Sequence, residues 1–133
     1  MAEKLYRVKD WQESFEGAKS KNYKNKSSCQ MPCKHGLGFR RLVMRDDGAA
    51  YFGAWCAMIQ VLSRQDSPRD GYLTDNGRHD GEPLTPEDLE VLTGIKSAVF
   101  SGMLSACSSK GIRWLTDTTR IPQGYHADTT RIP

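Results

Sequence analysis

Residues 49–63, AAYFGAWCAMIQVLS, constrain the fold of this chain more than any other stretch. Phe52, Trp55, Cys56, Ile59 and Leu62 recur at helical spacing along one face. Tyr51, Ala54, Met58 and Val61 make the opposite face apolar too. A helix that is apolar all round has to be surrounded by other parts of the chain, so it marks the centre of a small domain. The 133 residues suffice for one such domain. No apolar run approaches the roughly 20 residues that span a membrane. The N-terminal MAEKLYRVKD lacks the apolar core of a signal peptide. A soluble, intracellular protein is expected, with no membrane partner.

The flanking segments supply shorter elements. Residues 4–15 open with alternation, Leu5 and Arg7 to one side, Tyr6 and Val8 to the other, which reads as an edge strand followed by a turn. Phe39, Leu42 and Val43 follow helical spacing and suggest a short helix ending near Asp46 and Asp47. Residues 64–84 are full of breakers, with a brief extended piece at Tyr72, Leu73 and Thr74. Thr85 is an apt N-cap, Pro86 fits the first helical position, and Asp88 puts a carboxylate in the first turn. Leu89 and Leu92 form the apolar side of that helix, and Gly94 ends it. Val99 with Met103, and Phe100 with Leu104 and Cys107, stripe a second helix, and Ile112 to Leu115 read as a strand.

Helix, tight turn, helix and strand is the order of a helix-turn-helix with a β-wing. The fold expected is therefore α+β and mostly helical: a winged helix-turn-helix with a short β-wing and a basic N-terminal arm. The arm and its loop would cover 1–35, the winged-helix domain 36–116, and a disordered tail 117–133. That tail repeats Asp-Thr-Thr-Arg-Ile-Pro at 117–122 and 128–133.

Charge is divided unevenly. Residues 1–45 hold eleven Lys and Arg against four acids, a balance of +7, and residues 46–133 hold eight against twelve, a balance of −4. A basic arm on a mildly acidic body suits a polyanionic partner.

The stretch from Tyr6 to Leu115 also resembles the N-terminal winged-helix domain of phage and prophage replication proteins. The landmarks are Tyr6-Arg7-Val8, Asp10-Trp11 and Phe15, then Met31-Pro32, Lys34-His35 and Gly36-Leu37-Gly38-Phe39. They continue with Gly48-Ala49-Ala50, Phe52-Gly53-Ala54-Trp55, Gly71-Tyr72-Leu73, Leu92-Thr93-Gly94-Ile95, Val99-Phe100 and Ile112-Arg113-Trp114-Leu115. The resemblance implies a DNA-associated role around replication initiation or helicase loading, in the cytoplasm of a bacterial host cell.

On this reading, double-stranded DNA is the partner. The helix after Gly94 would enter the groove with Lys96, Ser97 and Ser101, joined by Lys110. It carries no arginine for bidentate reading of guanine. Affinity would come from phosphate contacts by Lys19, Lys21, Lys24, Lys26, Lys34, Arg40 and Arg41, with Arg113 on the wing. The acidic helix over 86–92 and the bare recognition face favour an alternative, a protein-interaction adaptor that binds a replication or host protein.

Other chemistries find little in the sequence. Cys29-x3-Cys33-x-His35 is the nearest approach to a metal site, but structural zinc needs four ligands and nothing nominates a fourth. With no export signal, the four cysteines are read as reduced thiols. Asp66, Asp70, Asp75, Asp80 and Glu82 lack the rhythm of a calcium loop and read as a solvated loop. There is no Gly-x-Ser-x-Gly or phosphate-cradling glycine loop, and the histidines are scattered, so neither enzymatic activity nor a cofactor is expected. Most aromatics sit at core spacings; Trp11, beside the basic arm, is the candidate for exposure.

Overall fold

The N-terminal alternation builds one strand of a two-stranded antiparallel sheet, with an isolated bridge at Tyr72 on its other side. The computed structural model describes residues 3–16, 36–66 and 68–120. Strand β1 (Glu3–Val8) pairs antiparallel with β2 (Leu115–Arg120), Val8 opposite Leu115 and Tyr6 opposite Asp117. Residues 71–73 take the other side of β1. The Val8 N–H donates to Gly71 O at 2.8 Å, and the Leu73 N–H donates to Tyr6 O at 2.9 Å. The expected edge strand is thus flanked on both sides. Its partners lie far along the chain, where local pattern gives no sign of them.

At Asp10 the backbone passes through the left-handed region, φ 55°, and enters the short helix α1 (Trp11–Phe15). The Trp11 and Phe15 rings meet at 5.0 Å and both are buried. Burial of Trp11 corrects the expectation that it is exposed. Gly71 makes this possible, because it has φ 82° and a Cβ there would lie 2.7 Å from Trp11 Cβ.

Helix α2 (Leu37–Val43) turns tightly into α3 (Gly48–Ser63). From Ala54 on, α3 is buried around most of its girth, at Ala54, Trp55, Met58, Ile59, Val61, Leu62 and Ser63. This is the apolar centre that the sequence calls for. Helix α4 (Pro86–Thr93) starts with a capping box. The Asp88 N–H donates to Thr85 Oγ1 at 3.1 Å, and the Thr85 N–H donates to Asp88 Oδ2 at 2.9 Å. Gly94, at φ 83°, ends α4, and residues 94–96 lead into α5 (Ser97–Ser108). Leu89 of α4 and Phe100, Met103, Leu104 and Cys107 of α5 join the core around α3.

Three boundaries fall differently from the sequence reading. The strand expected from Ile112 begins only at Leu115. Residues 109–113 are a turn in which the Ile112 and Arg113 N–H groups both donate to Ser109 O, at 3.1 and 3.0 Å. Gly111 (φ 99°) and Arg113 (φ 52°) turn the chain there. Trp114 packs 5.0 Å from the Trp55 ring, and alternation misreads an apolar residue placed for such packing as part of a strand. Residues 117–120, assigned to the disordered tail, form most of β2. Val8, Trp11 and Phe15, assigned to the arm, lie in the same core as α3.

A buried ion pair ties these parts together. Arg69 Nε donates to Glu16 Oε2 at 2.7 Å and Nη2 to Oε1 at 3.1 Å, with both side chains 1% exposed. Trp11 Nε1 donates to the same carboxylate at 2.8 Å. The end of α1 is thereby clamped to the chain beyond α3.

Candidate nucleic-acid interface

Five cations gather around the C-terminal end of α5. Arg40 and Arg41 lie on the outer face of α2, with Arg45 just beyond it, and Lys110 and Arg113 lie in the turn 109–113; all five are exposed. Arg41 Nη1 donates to Gly111 O at 3.0 Å, and Arg45 Nη2 donates to Ser109 Oγ at 3.1 Å. These bonds hold the two guanidinium groups against the helix end without neutralising them. Among the described residues none of the five makes an ion pair. The carbonyl dipoles ending α5 favour cations here. Asp46 and Asp47, exposed in the turn after Arg45, moderate the local charge.

The structure therefore brings together Arg40, Arg41, Lys110 and Arg113 of the sequence-predicted set and adds Arg45. It does not bring Lys96, Ser97 or Ser101 to them. Lys96 precedes the other end of α5, about 18 Å away at 1.5 Å per residue. That end is occupied by an acid, because Glu90 Oε1 accepts the Ser97 N–H at 2.7 Å. Ser97 is half-buried, and the carboxylate takes the place a phosphate would seek. A groove-reading role for the start of α5 loses its electrostatic basis. Ser101 is exposed on a face with Ala98 and Ser105, which carries no charge. Lys19, Lys21, Lys24, Lys26 and Lys34 lie outside the described residues, as do Cys29, Cys33 and His35.

Arg113, Lys9 and Asp10 also stand on a cleft of about 600 Å³ lined by Phe39, Phe52, Trp55 and Trp114. Its rings are mutually packed: Phe39 meets Phe52 edge-on at 5.2 Å, and Phe52 meets Trp114 at 6.3 Å. The cleft adjoins the basic rim through Arg113.

Among the described residues no three of His, Cys, Asp and Glu converge as metal ligands. Asp75 and Asp80 bond within the 66–82 loop, and Asp70 accepts from Gln12 Nε2 at 3.4 Å. Asp75 Oδ1 accepts the Glu82 N–H at 3.0 Å, and Asn76 Nδ2 donates to Asp80 Oδ1 at 3.1 Å. Burial pushes the Cys107 thiol up from 9.0 to about 12, against a smaller opposing pull from Arg45. It is protonated at neutral pH and cannot serve as a nucleophile there.

Sequence reasoning missed two residues of this region. Arg45 is four residues after Arg41, and that spacing could have placed it on the same face. Glu90 reaches Ser97 across the Gly94 turn, which no local rule signals. No helix among the described residues is long and apolar enough to cross a membrane. No family model, curated protein or solved structure matches the chain.

Proposed function

We propose that this chain is a non-enzymatic, winged-helix DNA-binding protein of a phage or prophage replication system, holding duplex DNA chiefly by its phosphates. The observation that carries the reading is the basic rim of Arg40, Arg41, Arg45, Lys110 and Arg113 around the end of α5. Two of its guanidinium groups are held in place and have hydrogen-bonding capacity left for phosphate oxygens. The succession of α4, the turn 94–96, α5 and β2 is compatible with a helix-turn-helix and wing. The neutral outer face of α5 and the Glu90 carboxylate at its start give little for base readout, so sequence preference is weak.

Fluorescence anisotropy with a mixed-sequence duplex tests this. One phosphate contact from each of the five cations gives a slope of about −4.5 in log affinity against log salt. Replacing Arg40 and Arg41 with alanine flattens it by about 2. Absence of binding at about 50 mM salt would refute the proposal.

A second reading, the protein adaptor, draws on α4, where Val91 and Leu92 are exposed beside Glu87 and Asp88. Such a face repels phosphate and suits a protein. Co-purification with a replication or host protein, abolished by Val91→Asp, supports that reading.

A further inference from the structure

We infer that copies of this chain associate head to tail, the outer face of α2 on one copy docking against the outer face of α4 on the next. The inference does not require DNA binding, although Arg40, Arg41 and Arg45 also belong to the basic rim, so duplex DNA would compete with the contact. Among the described residues, the exposed large hydrophobic side chains lie at just two helices: Leu37 (54%) and Met44 (82%) at α2, and Val91 (86%) and Leu92 (49%) on α4. Charge of one sign predominates beside each pair: Arg40, Arg41 and Arg45 beside Leu37 and Met44, with Asp46 and Asp47 following them, and Glu87 and Asp88 beside Val91 and Leu92. At about 100° per residue, Leu37, Arg40, Arg41 and the capping Met44 fall within a stripe about 100° wide, with Arg45 in the turn just beyond it. By the same count Glu87, Asp88, Val91 and Leu92 fall within a stripe of about 140°. One stripe is apolar and cationic, and the other is apolar and anionic. Two exposed apolar side chains on each face and opposite predominant charge make each the complement of the other.

Placement decides between association within one copy and between copies. Helix α2 packs on α3 and touches the far end of α5 through Arg41 and Arg45, whereas α4 leads into the near end of α5. About 18 Å of helix separates the two attachments, so one copy cannot bring its own stripes together. A symmetric pair joining α2 to α2, or α4 to α4, would set like charges face to face. The contact left pairs α2 with α4: made once per pair it is heterologous and propagates into chains or closes into a ring, whereas made twice, reciprocally, it would stop at a dimer. Two short helix faces make a small interface at the weak end of the range, so assembly depends on concentration and falls with salt.

Sedimentation velocity on nuclease-treated protein tests this, with Met44→Asp and Val91→Asp as separate variants. Both side chains are exposed, and circular dichroism checks that each variant folds. The weight-average mass of the wild type should climb between about 10 µM and 1 mM, and return to the monomer in about 0.5 M salt. Each variant alone should stay monomeric, since each has lost one face. Their equimolar mixture should form a dimer and grow no further, because only one intact α2–α4 pair remains. A wild type that stays monomeric throughout, or stops at a dimer, overturns the inference. So does either variant assembling alone, or a mixture that stays monomeric.

Discussion

Replacing Arg69 with methionine removes the cation from a buried pair, and the structure sets the size of the effect. Both side chains are 1% exposed, and the guanidinium meets Glu16 through bonds of 2.7 and 3.1 Å. Arg69 Nη1 also donates to Gln65 O at 3.0 Å, while the carboxylate accepts from Trp11 at 2.8 Å. Losing one partner of such a pair leaves a buried charge uncompensated, at a cost of about 3–5 kcal/mol. Glu16→Gln leaves the cation in the same position and should cost about the same, although its amide oxygen can still accept from Trp11. The double variant buries no charge and should lie within about 2 kcal/mol of the wild type. A double-mutant cycle should therefore show a coupling of about 3 kcal/mol or more. Urea unfolding followed by tryptophan fluorescence measures all four chains, with a common m-value. Single variants costing under about 1 kcal/mol, and adding independently, would place the pair in the exposed class and refute the reasoning.

Three further outcomes are expected. Gly102→Ala puts a methyl 2.5 Å from the Tyr51 ring and should cost about 1–3 kcal/mol, partly restored by Tyr51→Ala; an unchanged urea midpoint would contradict the close α3–α5 approach. Thr85→Ala removes the side-chain acceptor for the Asp88 N–H and should cost about 1 kcal/mol in the same assay, with no loss meaning the cap is idle. Native Cys107 should resist iodoacetamide at neutral pH and react only on unfolding, as site-resolved mass spectrometry would show. Its folded thiol is raised from 9.0 to about 12, so its stabilising contribution is complete below 9 and is lost as pH rises towards 12. That loss has a limiting slope of about 1.4 kcal/mol per pH unit, which Cys107→Ala should remove.

What the sequence disclosed followed the range of the interactions. Helix α3 was legible because apolar character on every face needs no partner to be recognised. Helix α4 was legible because Thr85, Pro86, Asp88 and Gly94 act within a few residues of one another. The sheet was misread, because β1 is flanked by segments that only tertiary folding brings beside it. Arg69 and Glu16 look like ordinary surface charges until the fold removes both from water. The candidate interface was half legible. Arg40, Arg41, Lys110 and Arg113 could be nominated from charge, but their convergence depends on α2 meeting the end of α5. Lys96 and Ser97 were nominated from helix-turn-helix geometry, and the Glu90 carboxylate at the start of α5 argues against them.

Charge reversal at the two ends of α5 tests the central claim most directly. Arg41→Glu with Lys110→Glu alters the basic rim, and Lys96→Glu alters the opposite end. Anisotropy with one duplex at low salt should show the rim variant weakened by roughly tenfold or more, with a salt slope flatter by about 2. Lys96→Glu should stay within about twofold of wild type at the same salt. The reverse order, a silent rim and a damaging change at Lys96, would contradict the account.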